Sequence, residues 1–288
     1  LYKLDFNTHA IVLIGKDPTG RAYQSLLNEE KFPISAVSVE GETRSNTIIL
    51  DTGNNQETQI TENAGNILQQ DVHLVLELLR EYVVKEDTVV LAGPLPDSLS
   101  PDVYQWLTRE SHDLGADVVL VTSGKPLEMA LQANPDMVII LKQELESYFN
   151  IPVRDYADVI QCAQQLKEGG ASKVLISFPD EAKSLLVSDE GQNLVTFTES
   201  SGLHPHASTT TGVLEAFVAG FIMGSYQFES LPETLEFGAA AAMYTASQVG
   251  SEFGKAAEVE EFLPDVNIEN EETIDPDQDA PGNVIKQD

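Results

Sequence analysis

Short runs in which almost every residue is apolar recur along the chain, at Thr88-Val89-Val90-Leu91-Ala92, 117–121, 137–141 and 173–177. Runs of about five residues, rich in β-branched side chains and without alternation, predict strands covered on both faces, as in a parallel sheet. Ala10 to Leu13 opens the chain in the same way. Between these runs the period changes to that of a helix. Residues 69–84 put Val72, Val75, Leu76, Leu79 and Val83 on one stripe, and 155–168 repeat the pattern less strictly with Ala157, Ile160, Ala163, Gln164 and Leu166. Ser100 followed by Pro101 predicts a helix over 101–114, because proline at the first helical position gives up a donor that has no partner there anyway. Strands alternating with helices imply an α/β fold with a mostly parallel sheet.

Two segments break the alternation. Residues 35–39, 45–51 and 57–61 read as short strands separated by Gly41 and by Gly53-Asn54-Asn55, which predicts a small β-element acting as a lid over 35–61. From Pro264 to Asp288 there are eight acidic residues, one lysine and no apolar period, so 265–288 are expected to be a loosely attached acidic tail. No internal repeat is present.

Charge and cysteine usage narrow the function classes. The 288 residues allow one large domain or two modest ones at ~150 residues each. With 47 Asp+Glu against 16 Lys+Arg, the net charge of -31 argues against nucleic acid and anionic membranes as partners, since both are bound through clustered cations. The single cysteine, Cys162, excludes an internal disulfide framework and a multi-thiolate zinc site. No run approaches the ~18 apolar residues of a membrane span and no basic, then apolar, leader opens the chain, so a soluble, cytoplasmic protein is expected. The chain begins at Leu1 with a strand-like run close behind, which suggests a start inside a longer parent sequence.

The stretch most open to chemistry runs from Ser208 through Thr209-Thr210-Thr211-Gly212 into Val213-Leu214-Glu215-Ala216-Phe217-Val218-Ala219-Gly220-Phe221. Hydroxyl residues and a glycine lead straight into a helix whose first N–H groups lack partners and could face an anion. An ordinary capped helix explains the same residues. His204-Pro205-His206 lacks the carboxylate or thiolate company of a metal site and reads as a loop. Cys162 reads as a buried structural thiol, Tyr104 and Trp106 as packing residues, and Ala239 to Ala242 as a close helix contact.

The 208–221 stretch resembles the signature of the PfkB-type carbohydrate kinases of ribokinase-like fold, in their 1-phosphofructokinase and tagatose-6-phosphate kinase branch, where a Gly-Ala-Gly-Asp loop precedes a helix containing Val-Ala-Gly-Phe. Gly41-Glu42-Thr43-Arg44-Ser45-Asn46, with Glu57-Thr58 and Glu62-Asn63-Ala64-Gly65, resembles the family's lid segment. Gly93-Pro94-Leu95-Pro96, Thr122-Ser123-Gly124, Pro135-Asp136 with Glu144-Leu145, Val174 to Ser177 and Val259 to Pro264 follow in family order. The resemblance covers 1–264 and implies a three-layer α/β/α ribokinase-like domain, ATP and magnesium as cofactors, a sugar phosphate as substrate, and pairing of lid sheets into a homodimer or membership of a larger parent protein or complex.

Position by position, the resemblance implies Glu215 in the place of the catalytic aspartate and Gly212, Val213 and Leu214 as the anion hole. Arg44 and Asn46 take the places of sugar-phosphate contacts, Ser177 and Gly212 of nucleotide contacts, and Glu144 of a magnesium-associated carboxylate. Several places depart from the family. Glutamate replaces aspartate at 215, and Leu214 stands where glycine lets a phosphate approach the backbone. The glycine-rich nucleotide loop becomes Phe178-Pro179-Asp180-Glu181-Ala182, Pro94 replaces a serine, Val121 an aspartate, and Ile139-Ile140-Leu141-Lys142-Gln143-Glu144 lacks the family's asparagine. The family's first strand and its Gly-Gly-Lys-Gly motif belong before Leu1. These departures predict a catalytically impaired homologue, a pseudokinase kept for binding or scaffolding; the alternative is an active ATP- and magnesium-dependent sugar-phosphate kinase with Glu215 as base.

Overall fold

The computed structural model describes residues 1–51, 56–62, 65, 67–178, 183–188, 193–198, 211–248 and 250–270. They form two compact units, one from Asn7 to Pro135 and one from Asp136 onward that also takes in Leu1 and Lys3–Phe6.

In the Asn7–Pro135 unit, β1 (Ala10–Gly15) pairs in parallel with β2 (Ile34–Val39) across α1 (Pro18–Leu27). The Asp17 side chain caps α1 and Pro18 supplies its first turn. β3 (Asn46–Asp51) and β4 (Gln56–Thr61) form an antiparallel hairpin of their own. Of the expected lid segment 35–61, residues 35–39 belong to the parallel pair with β1, and only β3 and β4 form a separate hairpin. The helix α2 (Gln69–Tyr82) buries Val72 and Leu79 of the expected stripe. β5 (Thr88–Ala92) and β6 (Asp117–Val121) then pair in parallel, with α3 (Val103–Asp113) between them and α4 (Gly124–Leu131) after. Val118, Val119 and Leu120 are consecutive and all buried, so both faces of β6 are covered. The α3 helix starts two residues later than Pro101 suggests, because the Val103 amide donates to Ser100 O and 100–103 closes a tighter turn first.

In the Asp136 unit, β7 (Met137–Leu141) and β8 (Lys173–Phe178) are parallel and bury every residue from Met137 to Ile140 and from Val174 to Phe178. The helices α5 (Lys142–Phe149) and α6 (Tyr156–Glu168) connect them. An antiparallel continuation follows, β8 to β9 (Lys183–Val187), β9 to β10 (Asn193–Thr198) and β10 to β11 (Val266–Asn270). The expected acidic tail is thus corrected at its start. Residues 266–270 form a sheet strand with Val266 buried, and 271–288 lie outside the described residues. The long helices α7 (Val213–Gln227) and α8 (Leu231–Ser247) pack on each other where Gly220 meets Ala241 and Phe237, and Gly238 meets Phe217 and Phe221; these alanine and phenylalanine side chains are buried. A short α9 (Ala256–Glu260) precedes β11.

Candidate active site

The residues singled out by sequence divide between the two units. In the Asp136 unit, Gly212 is the N-cap of α7, with φ 85° and ψ -7°. Only glycine adopts that left-handed geometry without strain, and a Cβ there would also lie 3.3 Å from Ser251 Cβ and 3.4 Å from Phe253 Cζ. The turn launches α7 so that Val213, Leu214 and Glu215 occupy its first positions, where backbone N–H groups have no partner four residues back. The first intrahelical bond runs from the Ala216 amide to Gly212 O at 2.9 Å. Glu215 is exposed, while Val213 and Leu214 are half-buried. Helical Cα–Cβ bonds tilt toward the N-terminus, so Leu214 directs its Cβ toward the end of α7 at which an anion would approach. Residues 199–210, including Ser208 to Thr210 and His204-Pro205-His206, lie outside the described residues.

Glu144 and Ser177 lie toward the same end of the parallel pair. Ser177 on β8 is in register with Leu141, the last residue of β7, and α5 begins at the next position. Both therefore sit at the carboxyl edge of β7 and β8, the edge at which α/β sheets collect ligands. The Leu141 amide donates to Glu144 Oε2 at 3.3 Å, which closes the start of α5. Ser177 is buried, cross-strand from Ser184 of β9. Ser184 in turn shares a buried hydroxyl contact with Thr196 of β10, Oγ to Oγ1 2.6 Å. Phe178 is buried with the Lys142 ammonium 5.8 Å above its ring; Pro179 to Ala182 lie outside the described residues.

Arg44 and Asn46 belong to the other unit. Arg44 is exposed in the segment joining β2 to β3, and Asn46 is the exposed first residue of β3, opposite Thr61. Sequence reasoning missed the residues that hold this segment. The Asp17 carboxylate accepts hydrogen bonds from the Thr43 hydroxyl (2.8 Å) and the Thr43 amide (3.2 Å), besides the Gly20 and Thr19 amides that it caps. The Gly15 amide donates to Thr43 Oγ1 at 3.0 Å. The one available signal was Asp17-Pro18, which reads as a plain helix start.

Other candidates resolve simply. Cys162 is 1% exposed; burial first, and then the nearby Asp158 charge, push its thiol pKa up, so it stays protonated and packs. Tyr104 is buried with its hydroxyl donating to Ala92 O and Gly93 O, whereas Trp106 is partly exposed. Among the described residues no group of three or more His, Cys, Asp or Glu side chains could hold a metal ion, and no helix is long and apolar enough to cross a membrane.

A family model described as pfkB family carbohydrate kinase matches residues 1–257. The chain is similar to a 1-phosphofructokinase of Haemophilus influenzae, 30% identical over 241 residues, spanning 82% of this chain and 73% of that protein. It is similar to a 1-phosphofructokinase of Bacillus subtilis, 28% identical over 250 residues, spanning 87% and 78%. Among solved structures, Escherichia coli phosphofructokinase-2 superposes with a TM-score of 0.81 at 21% identity, covering 91% of this chain and 83% of that one. Arabidopsis thaliana ribokinase superposes at 0.68 and 18%, covering 91% and 83%. The two superpositions establish the ribokinase-like α/β fold, with its mostly parallel sheet flanked by helices.

Proposed function

Because the chain belongs to the pfkB family of carbohydrate kinases, we propose that it is a sugar-phosphate kinase of the 1-phosphofructokinase type, moving the γ-phosphoryl group of ATP to a free hydroxyl of a ketose phosphate such as fructose 1-phosphate. The observation that carries this reading is the exposed Glu215 carboxylate on the first turn of α7, directly behind the left-handed Gly212 turn. A carboxylate there can take the hydroxyl proton as the sugar oxygen forms its bond to the γ-phosphorus and the bridging oxygen leaves with ADP. The amides of Gly212, Val213 and Leu214 are the donors for the charge on the transferred group. In the same reading Arg44 and Asn46 receive the anionic sugar, and Ser177 with Gly212 borders the nucleotide.

ATP supplies the phosphoryl group and magnesium neutralises its phosphates. Glu144 fits magnesium as one carboxylate among phosphate oxygens and waters, the donor set this ion accepts, and not as part of a protein cage. The hairpin β3–β4 supports a homodimer. Ile48, Ile49 and Ile60 are 42%, 51% and 53% exposed, and two strands alone are marginally stable in water. Use of ATP supports a cytoplasmic location.

Leu214 favours a second reading, a chain kept for binding or scaffolding, because it puts a leucine on the first turn of α7, beside the amides that would bind an anion. The two are separated by ATP turnover with fructose 1-phosphate, fructose 6-phosphate and tagatose 6-phosphate, on the chain as given, Glu215→Gln and Leu214→Gly. Turnover of ~1–100 per second that Glu215→Gln abolishes supports the kinase. Calorimetric binding of a sugar phosphate without turnover supports the second reading.

A further inference from the structure

The segment Gly41–Ser45 carries Arg44 yet belongs to no helix or strand, and it is held from both sides. Asp17 Oδ1 accepts from the Thr43 hydroxyl and the Thr43 amide, and the same hydroxyl accepts from the Gly15 amide. A Cβ on Gly15 would lie 2.3 Å from Gly41 O and 2.7 Å from Thr43 N, and one on Gly20 would lie 2.7 Å from Thr43 Oγ1, so the segment presses against the turn between β1 and α1. On its other side a Cβ on Gly65 would lie 2.5 Å from both the N and the O of Glu42. The Ser45 amide donates to Glu62 at 2.9 Å, and Lys16 pairs with Glu40 just before the segment begins. Arg44 thus stands between two anchored neighbours while its guanidinium remains exposed.

We propose that Asp17 and Thr43 are positioning residues: a carboxylate and hydroxyl latch that fixes the backbone on either side of Arg44, so that the guanidinium meets the anionic group of the sugar phosphate without first having to be ordered. The role of Arg44 toward a sugar phosphate rests on the kinase reading above; the latch itself rests on the contacts just given. Arginine recognises phosphate through a planar pair of N–H donors, and that geometry loses most when the backbone beneath it wanders. A preset arginine binds more tightly because the ordering cost falls on folding and not on binding. The latch also survives acid. Partial burial raises the Asp17 pKa, but the hydrogen bonds from the Thr43 hydroxyl and from the Gly20 and Thr43 amides outweigh it and hold the carboxyl at about 2.

The test compares the parent chain with Thr43→Val, which keeps the shape and removes the hydroxyl, Thr43→Ser, which restores it, and Asp17→Asn, which keeps the cap and removes the charge. Three quantities are read: amide hydrogen exchange over 41–45 without ligand, calorimetric affinity for fructose 1-phosphate, and KM against kcat where turnover exists. Thr43→Val and Asp17→Asn are expected to speed exchange at 41–45 and to weaken fructose 1-phosphate binding about tenfold, the scale of one lost hydrogen bond to a charged group. KM for ATP should stay put, and Thr43→Ser should recover most of the loss. A Thr43→Val chain that folds with unchanged exchange or unchanged sugar-phosphate affinity overturns the latch, and Asp17→Asn decides in the same way if the valine variant fails to fold. A parent chain that binds fructose 1-phosphate without turnover overturns the kinase reading alone. A parent chain that binds none overturns the role given to Arg44.

Discussion

Replacing Gly220 by alanine sets two opposed effects against each other at the contact of α7 with α8. Alanine is the better helix former by ~0.8–1 kcal/mol, and a newly buried methyl is worth ~0.8 kcal/mol. Against that, the added Cβ would lie 2.8 Å from Ala241 Cβ, 2.9 Å from Phe237 O and 3.0 Å from Gly238 Cα. None of these atoms can swing away as a long side chain could, so α7 must retreat toward the ordinary contact distance of ~3.5–4.0 Å. A gap of ~0.5–1 Å forfeits a quarter to a half of each contact well, and here the loss spreads over the buried Phe217, Phe221 and Phe237. Overpacking usually costs ~1–3 kcal/mol, and a clash against backbone belongs at the top of that range or beyond. The net expectation is a loss of about 1–2 kcal/mol. Urea denaturation followed by circular dichroism should show the midpoint lowered by ~0.5 M at an m value of ~3 kcal/mol/M. Gly224→Ala is the control, since its Cβ would meet Thr234 Cα and O at 3.1 and 3.2 Å and its cost should be smaller. A raised midpoint for Gly220→Ala, or equal costs for both variants, would show that propensity governs and that the packing argument is wrong.

The depressed Asp17 carboxyl adds stability that is fully present above its ordinary pKa of 3.8 and is lost as pH falls toward about 2; acid titration of the parent should therefore lose a component between pH ~4 and 2 that Asp17→Asn lacks. Burial holds the Tyr104 phenol at about 12, so absorbance titration of the folded chain should show a step near pH 12 that Tyr104→Phe removes, and that variant, which loses the bonds to Ala92 O and Gly93 O, should cost ~1 kcal/mol in urea unfolding. Ending the chain after Pro264 removes β11 and the buried Val266, and should lower stability by ~2 kcal/mol or more; an unchanged melting temperature would mean that the pairing of β10 with β11 contributes nothing.

The strands at 88–92, 117–121 and 137–141 were legible to the residue because each carries a run of at least four consecutive apolar residues followed at once by glycine or a polar residue. The antiparallel strands were not. β9 and β10 carry Ser184 and Thr196 inward, and these hydroxyls satisfy each other across the ladder, so the sequence shows polarity where the structure has core. β11 offers one buried residue, Val266, in acidic surroundings, and reads as tail until β10 is placed beside it. The same division runs through the candidate site. Gly212 to Glu215 are contiguous and announce a helix start, whereas Asp17 and Thr43 are 26 residues apart and become partners only when β1 and β2 align.

The pairing of β10 with β11 also dictates an order of events during synthesis. When Thr198 leaves the ribosome, the strand that will cover its far edge has yet to be made, since residues 199–265 come first. At ~5–20 residues per second that interval lasts several seconds. Throughout it β10 presents a row of unpaired N–H and C=O groups, the template on which a second nascent chain can add a strand. The closing partner is the acidic segment with Glu269 facing Val195 across the ladder, so the edge is sealed by a strand whose charge discourages any further addition. The sheet is therefore most vulnerable to aggregation just before it is complete, and a chain released before Val266 stays in that state.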